Sequence, residues 1–292
     1  SADPLIDEPQ SEDPAAGTPI GEYLRTEDDF HFTTYARLFS ELYGTRAKFV
    51  LTGTGEGSGA GSKLDGHWIV WDEDAGHWEV HPTRARELAR ELAVAIYDRA
   101  CFLFKEKVIR REVRKLLNNH TAILVAASDL PEMVVSADEL DANPFLLKVK
   151  NGTLDLTLID TPDKMLREDD PDDLITKCAG VAYDPEANAP MWQKYLDRVM
   201  PDPELQEVPQ SFVGYSLCGD TSMHTFWLLE GESRTGKGVF KNVCLALLGD
   251  YAYEGGFAEF ISGGHRKDGP RPGLLEMLGK RAVLASESSK KE

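Results

Sequence analysis

The stretch Phe226-Trp227-Leu228-Leu229-Glu230-Gly231-Glu232-Ser233-Arg234-Thr235-Gly236-Lys237-Gly238 decides how this chain is read. An apolar run, expected to be a strand, enters a Gly-x-x-x-x-Gly-Lys turn. Val239-Phe240-Lys241-Asn242-Val243-Cys244-Leu245-Ala246-Leu247-Leu248 then carries a helical pattern. Strand, glycine-rich turn and helix in that order are the context a phosphate-binding loop requires. Backbone N–H groups of such a turn converge, and the helix N-terminus adds positive potential, so a triphosphate fits there. The candidate binding stretch is therefore Gly231, Glu232, Ser233, Arg234, Thr235, Gly236, Lys237, Gly238 and Val239, with Lys237 reaching the β- and γ-phosphates. The residue after the lysine is commonly Ser or Thr, whose hydroxyl binds Mg²⁺. Here it is Gly238.

Working outward, Ala282-Val283-Leu284-Ala285-Ser286-Glu287 is a short apolar strand ending in a carboxylate, 50 residues after Lys237. Ligands of open α/β sheets bind at the carboxyl ends of strands. A glutamate there can orient or deprotonate the water that attacks a γ-phosphate, which makes Lys237 and Glu287 the candidate catalytic pair. Between the two stretches, His265–Gly273 reads as a polar loop with basic residues.

Composition bounds the alternatives. A chain of 292 residues with 41% apolar and 28% charged residues has room for two domains and a sizeable core. No apolar run approaches the roughly 18 residues of a membrane span, and the acidic N-terminus has no secretory apolar stretch. Cys101, Cys178, Cys218 and Cys244 are 77, 40 and 26 residues apart, which excludes a Cys-x-x-Cys metal or redox motif. Reduced thiols in a cytoplasmic protein are expected. The net charge of −18 opposes nucleic-acid binding in bulk, but residues 1–30 hold nine acids and one base, leaving −10 for the rest.

Residues 1–26, rich in Asp, Glu, Pro, Ala and Gly, read as a disordered acidic linker. Helical spacing marks Phe30–Tyr43, and Lys48–Leu51 is expected to be a strand. Gly53–Ser62 fits no dinucleotide-binding register and reads as a flexible loop. His67–Trp71 and Gly76–Val80 alternate as a hairpin. A long helix is expected over Arg84–Phe104 and a second over Lys105–Leu117. On the second, Lys107, Arg110, Arg111, Arg114 and Lys115 fall within a roughly 140° arc. Six bases against two acids in Lys105–Lys115 make it the one strongly basic surface in the sequence, and a candidate for phosphate contacts with nucleic acid. Asn143–Leu156 reads as strand, Asn-Gly turn and strand. Further helices follow Pro190 and Leu205.

Several ordered matches carry a family resemblance. They are Asn151-Gly152-Thr153-Leu154-Asp155, Tyr183-Asp184-Pro185-Glu186-Ala187 with Pro190 and Trp192, Phe212–Leu217, Leu248-Gly249-Asp250-Tyr251-Ala252, and Gly279-Lys280-Arg281 with Ser286-Glu287. Together the segments resemble the superfamily 3 helicase part of phage and plasmid primase-helicases, a group shared with poxvirus-type primase-helicases. The resemblance implies an α/β P-loop core of the AAA+-like, superfamily 3 kind over 206–292. An α+β, mostly helical accessory domain over 27–205 would precede it. ATP would bind at Gly231, Gly236 and Lys237, with Glu287 as the motif B acid and Mg²⁺ weakly held at Ser286 and Glu287. It also implies a homo-hexameric ring on single-stranded or forked DNA in a bacterial host's cytoplasm, and a primase domain in the parent protein. The chain stops five residues after Glu287, so the later motifs of such a core would lie beyond Glu292. The expected activity is ATP-dependent DNA unwinding. The alternatives are a truncated nucleotide-binding or oligomerisation module without hydrolysis, and a P-loop phosphotransferase.

Overall fold

The computed structural model describes residues 13–51, 64–256, 276–277 and 279–286. Within them the chain is a mixed α/β protein. In order, the elements are α1 (Pro19–Tyr23), α2 (Phe32–Tyr43), β1 (Ala47–Leu51), β2 (Trp68–Asp72), β3 (His77–Val80), α3 (Pro82–Leu103), α4 (Lys107–Asn118), α5 (Thr121–Ala127) and β4 (Val134–Ser136). There follow β5 (Leu146–Val149), β6 (Gly152–Asp155), α6 (Pro162–Met165), β7 (Leu166–Arg167), α7 (Pro190–Val199), α8 (Pro203–Tyr215), α9 (Lys237–Leu248), β8 (Ala252–Gly256) and β9 (Ala282–Ser286). The strands form a sheet in the order β3-β2-β1-β4, a sheet β5-β6-β7 and a pair β8-β9. Gly53–Ser62, His265–Gly273 and Glu287, read above as two loops and a catalytic acid, lie outside the described residues.

The chain divides into two compact units: Ser1–Leu51 with Gly66–Val70 and Val80–Val135, and Ser136–Glu292 with Thr52–Asp65 and Trp71–Glu79. The first is helical. Periodic apolar positions of α2 (Tyr35, Leu38, Phe39), α3 (Leu88, Leu92, Ile96) and α5 (Ile123, Leu124) close on one core, and Val113 and Leu116 of α4 join it. Residues 13–26 belong to this core, which corrects the linker reading over that part. Thr18 caps α1 by accepting from Gly21 N–H, and Leu24 has no exposed surface. Buried Arg99 of α3 donates to the Leu24 carbonyl at 3.0 Å and pairs with Asp13. Burying a leucine side chain stabilises by about 1.5–3 kcal/mol, to which the packing of Ile20 and Tyr23 and the Arg99 contacts add against the entropy of ordering the segment. The acidic composition of the segment hid that anchor.

The second unit has a core of Leu147, Val149, Leu154, Met165, Ala179, Leu248, Tyr251, Ala252 and Ala282. These residues come from the β5–β6 hairpin, α6, the segment after β7, the end of α9 with the turn that follows it, and the β8–β9 pair. The last change from the first unit to the second along the chain falls at Val135/Ser136. In the hairpin, Val149 pairs with Gly152, so Lys150 and Asn151 make the turn and Gly152 opens β6. The backbone after β7 runs between β5 and the end of α9: Ala179 N–H donates to Lys148 O of β5 (2.8 Å), Gly180 N–H to Leu247 O of α9 (3.0 Å), and Asp250 N–H to Cys178 O (3.0 Å). Strands β8 and β9 run parallel, with Ala252 opposite Ala282 and Gly256 opposite Ser286.

The strand expected at Phe226–Leu229 is absent. No strand among the described residues pairs with that segment, and Phe226 and Leu228 are 87% and 78% exposed. A lone extended segment leaves its backbone groups to water, and stacking on Phe212 holds its Trp227 instead.

Candidate phosphate loop and basic helix

Helix α9 begins at Lys237, two residues ahead of the Val239 at which the helical pattern of the sequence opens, and the turn before it contains several positive-φ residues. Gly236 is the N-cap at φ +102°, in the left-handed region that other residues enter at a cost, and Gly231 stands at +158°. Arg234 also has positive φ, at +66°. Lys237 folds back across the turn: its Nζ donates to Gly231 O, to Glu232 O at 2.7 Å and to Thr235 Oγ1 at 3.4 Å. Thr235 Oγ1 in turn donates to Glu232 O at 2.8 Å. The first helical bonds run from Val239 and Phe240 N–H to Gly236 O. Among the described residues no hydrogen bond uses the N–H groups of Ser233 through Gly238. They are donors at a helix N-terminus beside an ammonium group, an arrangement that attracts phosphate.

An aromatic series underlies the loop. Tyr195 of α7 donates from Oη to Gly236 O at 3.1 Å, and burial lifts its hydroxyl above the usual phenol range, keeping it a donor. Trp192 stacks on Tyr195 (5.1 Å, 26°) and leans on Phe240 of α9 (5.8 Å). Trp227 touches Phe240 at 6.2 Å and stacks on Phe212 of α8 at 4.8 Å and 8°. Each well-oriented aromatic pair contributes about 0.5–1.5 kcal/mol beyond area burial. The sequence marked Trp192 and Phe212 as parts of motifs but gave Tyr195 no role. Its only signal was its place three residues after Trp192 on one helix face.

One turn beyond Lys237, Lys241 is ion-paired with Glu254 of β8 and donates to Ser286 Oγ at 3.0 Å. Ser286, a candidate Mg²⁺ position, thus accepts from an ammonium. Gly238 brings no hydroxyl, and no group of three or more His, Cys, Asp or Glu side chains among the described residues is arranged to hold a metal. The described donors do not make an oxygen set for Mg²⁺.

The basic helix α4 belongs to the first unit. Lys107, Arg111, Arg114 and Lys115 are exposed along it, while Val113 and Leu116 are buried. Arg110 is half-buried and donates to Lys105 O at 2.7 Å. Glu112 sits among these bases, pairing with Lys115 and standing 3.8 Å from Arg111; the Lys115 contact holds its carboxyl below the usual range.

Other contacts explain why distant motifs go together. Asn151 donates from Nδ2 to Tyr183 O (2.9 Å) and accepts from Tyr183 N–H at 2.8 Å, tying the Asn-Gly segment to the Tyr-Asp-Pro segment. Tyr251 Oη accepts from Lys148 N–H and donates to Lys177 O, both at 3.1 Å. Arg281 lies over the Tyr251 ring at 4.4 Å and donates to Leu146 O and Leu217 O.

A family model described as D5 N terminal like matches residues 36–201. The chain is also similar to a candidate helicase of Acanthamoeba polyphaga mimivirus, 25% identical over 154 residues. That match covers 50% of this chain and 16% of the viral protein, so the chain spans a small part of its relative. Among the described residues no helix is long and apolar enough to cross a membrane.

Proposed function

The chain belongs to the D5 N terminal like family, and on that premise we propose that it carries the accessory region and phosphate loop of a superfamily 3 DNA helicase from a phage or plasmid primase-helicase. The observation that carries this reading is the loop itself. Gly236 opens α9 in the left-handed region, Lys237 spans the turn, and the N–H groups of 233–238 have no partner among the described residues. ATP is the nucleotide proposed. On its arrival Lys237 exchanges the carbonyls of Gly231 and Glu232 for phosphate oxygens and stabilises charge on the transferring group. Glu287 positions the water. The exposed bases of α4 are proposed to contact the phosphates of single-stranded or forked DNA, and ring formation by six copies follows from the same reading.

A second reading is a nucleotide-binding module without hydrolysis. It is favoured by Gly238, which has no hydroxyl, and by Ser286, which accepts from Lys241. ATP binding and turnover by the 292-residue chain, with and without single-stranded DNA, separate the two. DNA-stimulated turnover supports the helicase reading, and binding without turnover supports the module. A Lys237→Ala variant that binds ATP as tightly as wild type refutes the loop assignment. For α4, reversing Arg111 and Arg114 to Glu lowers DNA affinity and reduces the salt slope by about 0.7 per lost phosphate contact. An unchanged slope removes α4 from the interface.

A further inference from the structure

Lys241 lies four residues after Lys237 on α9, a spacing that puts both on one helix face. Its ammonium meets Ser286 of β9, which pairs with Gly256 of β8, the last pair of the two strands among the described residues. The pair lies toward the carboxyl side of the parallel strands, the side on which α/β sheets receive ligands. Glu254, two residues earlier on β8, holds the ammonium there through an ion pair. The Lys241 side chain is 22% exposed, sheltered enough to be positioned yet open to a ligand.

A divalent cation held by the protein at a phosphate loop needs hard oxygen donors from the turn and from the strand end. Here Gly238 brings no side-chain oxygen, Thr235 Oγ1 is engaged with Glu232 O and Lys237, and at the strands the Glu254 carboxylate and the Ser286 hydroxyl are both engaged by the Lys241 ammonium. The ammonium thus occupies the oxygen donors that a cation at this place would use. An ammonium with three donors is itself a competent partner for phosphate oxygens.

We propose that Lys241 is a second phosphate-binding residue of this loop, doing with its fixed charge what a protein-held divalent cation would do, so that nucleotide binding by this chain does not require Mg²⁺. The proposal rests on reading 231–238 as a phosphate loop. The test is calorimetric titration of ATP into the 292-residue chain in Mg²⁺ and in EDTA, repeated with Lys241→Met and Lys241→Arg, with circular dichroism confirming that each variant is folded. Wild type is expected to bind with affinities within about threefold in the two buffers. Lys241→Met is expected to lose about tenfold or more in EDTA, as for one charge-assisted hydrogen bond, whereas Lys241→Arg retains binding. A tenfold or greater fall of wild-type affinity in EDTA overturns the proposal while leaving the phosphate loop intact. So does metal-free binding by Lys241→Met equal to wild type. No binding in either buffer overturns the loop reading and this proposal with it.

Discussion

Two glycines of the loop, two residues apart, are expected to respond to alanine with opposite signs. At Gly236 the backbone sits at φ +102°, and a Cβ would stand 3.0 Å from Val199 Cγ1 and 3.1 Å from Tyr195 Cε2. The left-handed conformation costs an L-residue about 1–2 kcal/mol. Crowding two side chains that are already packed adds about 1–2 kcal/mol more. Gly236→Ala is therefore destabilising by about 2–4 kcal/mol, on the order of 10 °C in melting temperature for a unit of this size. At Gly238 a Cβ meets nothing within 4 Å and the residue is already helical, so Gly238→Ala gains up to about 1 kcal/mol of helix propensity. Thermal unfolding of both variants, followed by the fluorescence of Trp192 and Trp227, measures the pair side by side. The same sign for both, or a Gly236→Ala variant as stable as wild type, refutes the loop conformation. ATP titration of the same proteins then asks whether the destabilised turn also loses its ligand.

Tyr251→Phe removes a hydroxyl that accepts from Lys148 N–H and donates to Lys177 O, stranding a buried donor at a cost of about 1–3 kcal/mol. A urea midpoint lower by about 1 M checks this, and an unchanged midpoint sinks it. Burial pushes the Cys244 thiol up to about 11, so it is expected to stay unlabelled by maleimide at pH 7.5 until the chain is unfolded. The Arg99 side chain, then the Ala15 N–H, hold the Asp13 carboxyl below its usual value of 3.8. A depressed folded pKa gives stability that is present above the unfolded value and lost as pH falls through the folded one. The melting-temperature gap between wild type and Asp13→Asn should thus be full at pH 7 and shrink below about pH 4. An equal gap at pH 3 contradicts the pairing.

Local signals carried much of this structure. The helical period around Leu88, Leu92 and Ile96 marked α3, and alternation around Trp71 and Trp78 marked the hairpin of β2 and β3. The apolar pattern of Val239–Leu248 marked α9, which the structure starts two residues earlier, at Lys237. What failed was long-range. The segment around Leu24 read as acidic linker because the Arg99 that binds the Leu24 carbonyl lies 75 residues away. Phe226–Leu229 has the composition of a strand, but composition does not supply a neighbour to pair with. The contact between Lys241 and Ser286 spans 45 positions, and nothing in the sequence announces it. The Asn151–Tyr183 pair was visible only as two motifs without a reason for their association.

The segment lying along α9 has a consequence for how this protein is cut and recombined. Gly180 comes so close to the helix that a Cβ there would stand 1.9 Å from Ala246 O, and its N–H donates to Leu247 O. A fragment begun at residue 206 would carry the loop but strip Leu248 and Tyr251 of Leu147, Val149 and Ala179, leaving a greasy helix end facing water. Gene fusions or natural exchanges that transplant the nucleotide loop must therefore bring the chain from ahead of Leu146 with it. In this protein the heritable unit of the loop is the whole second core.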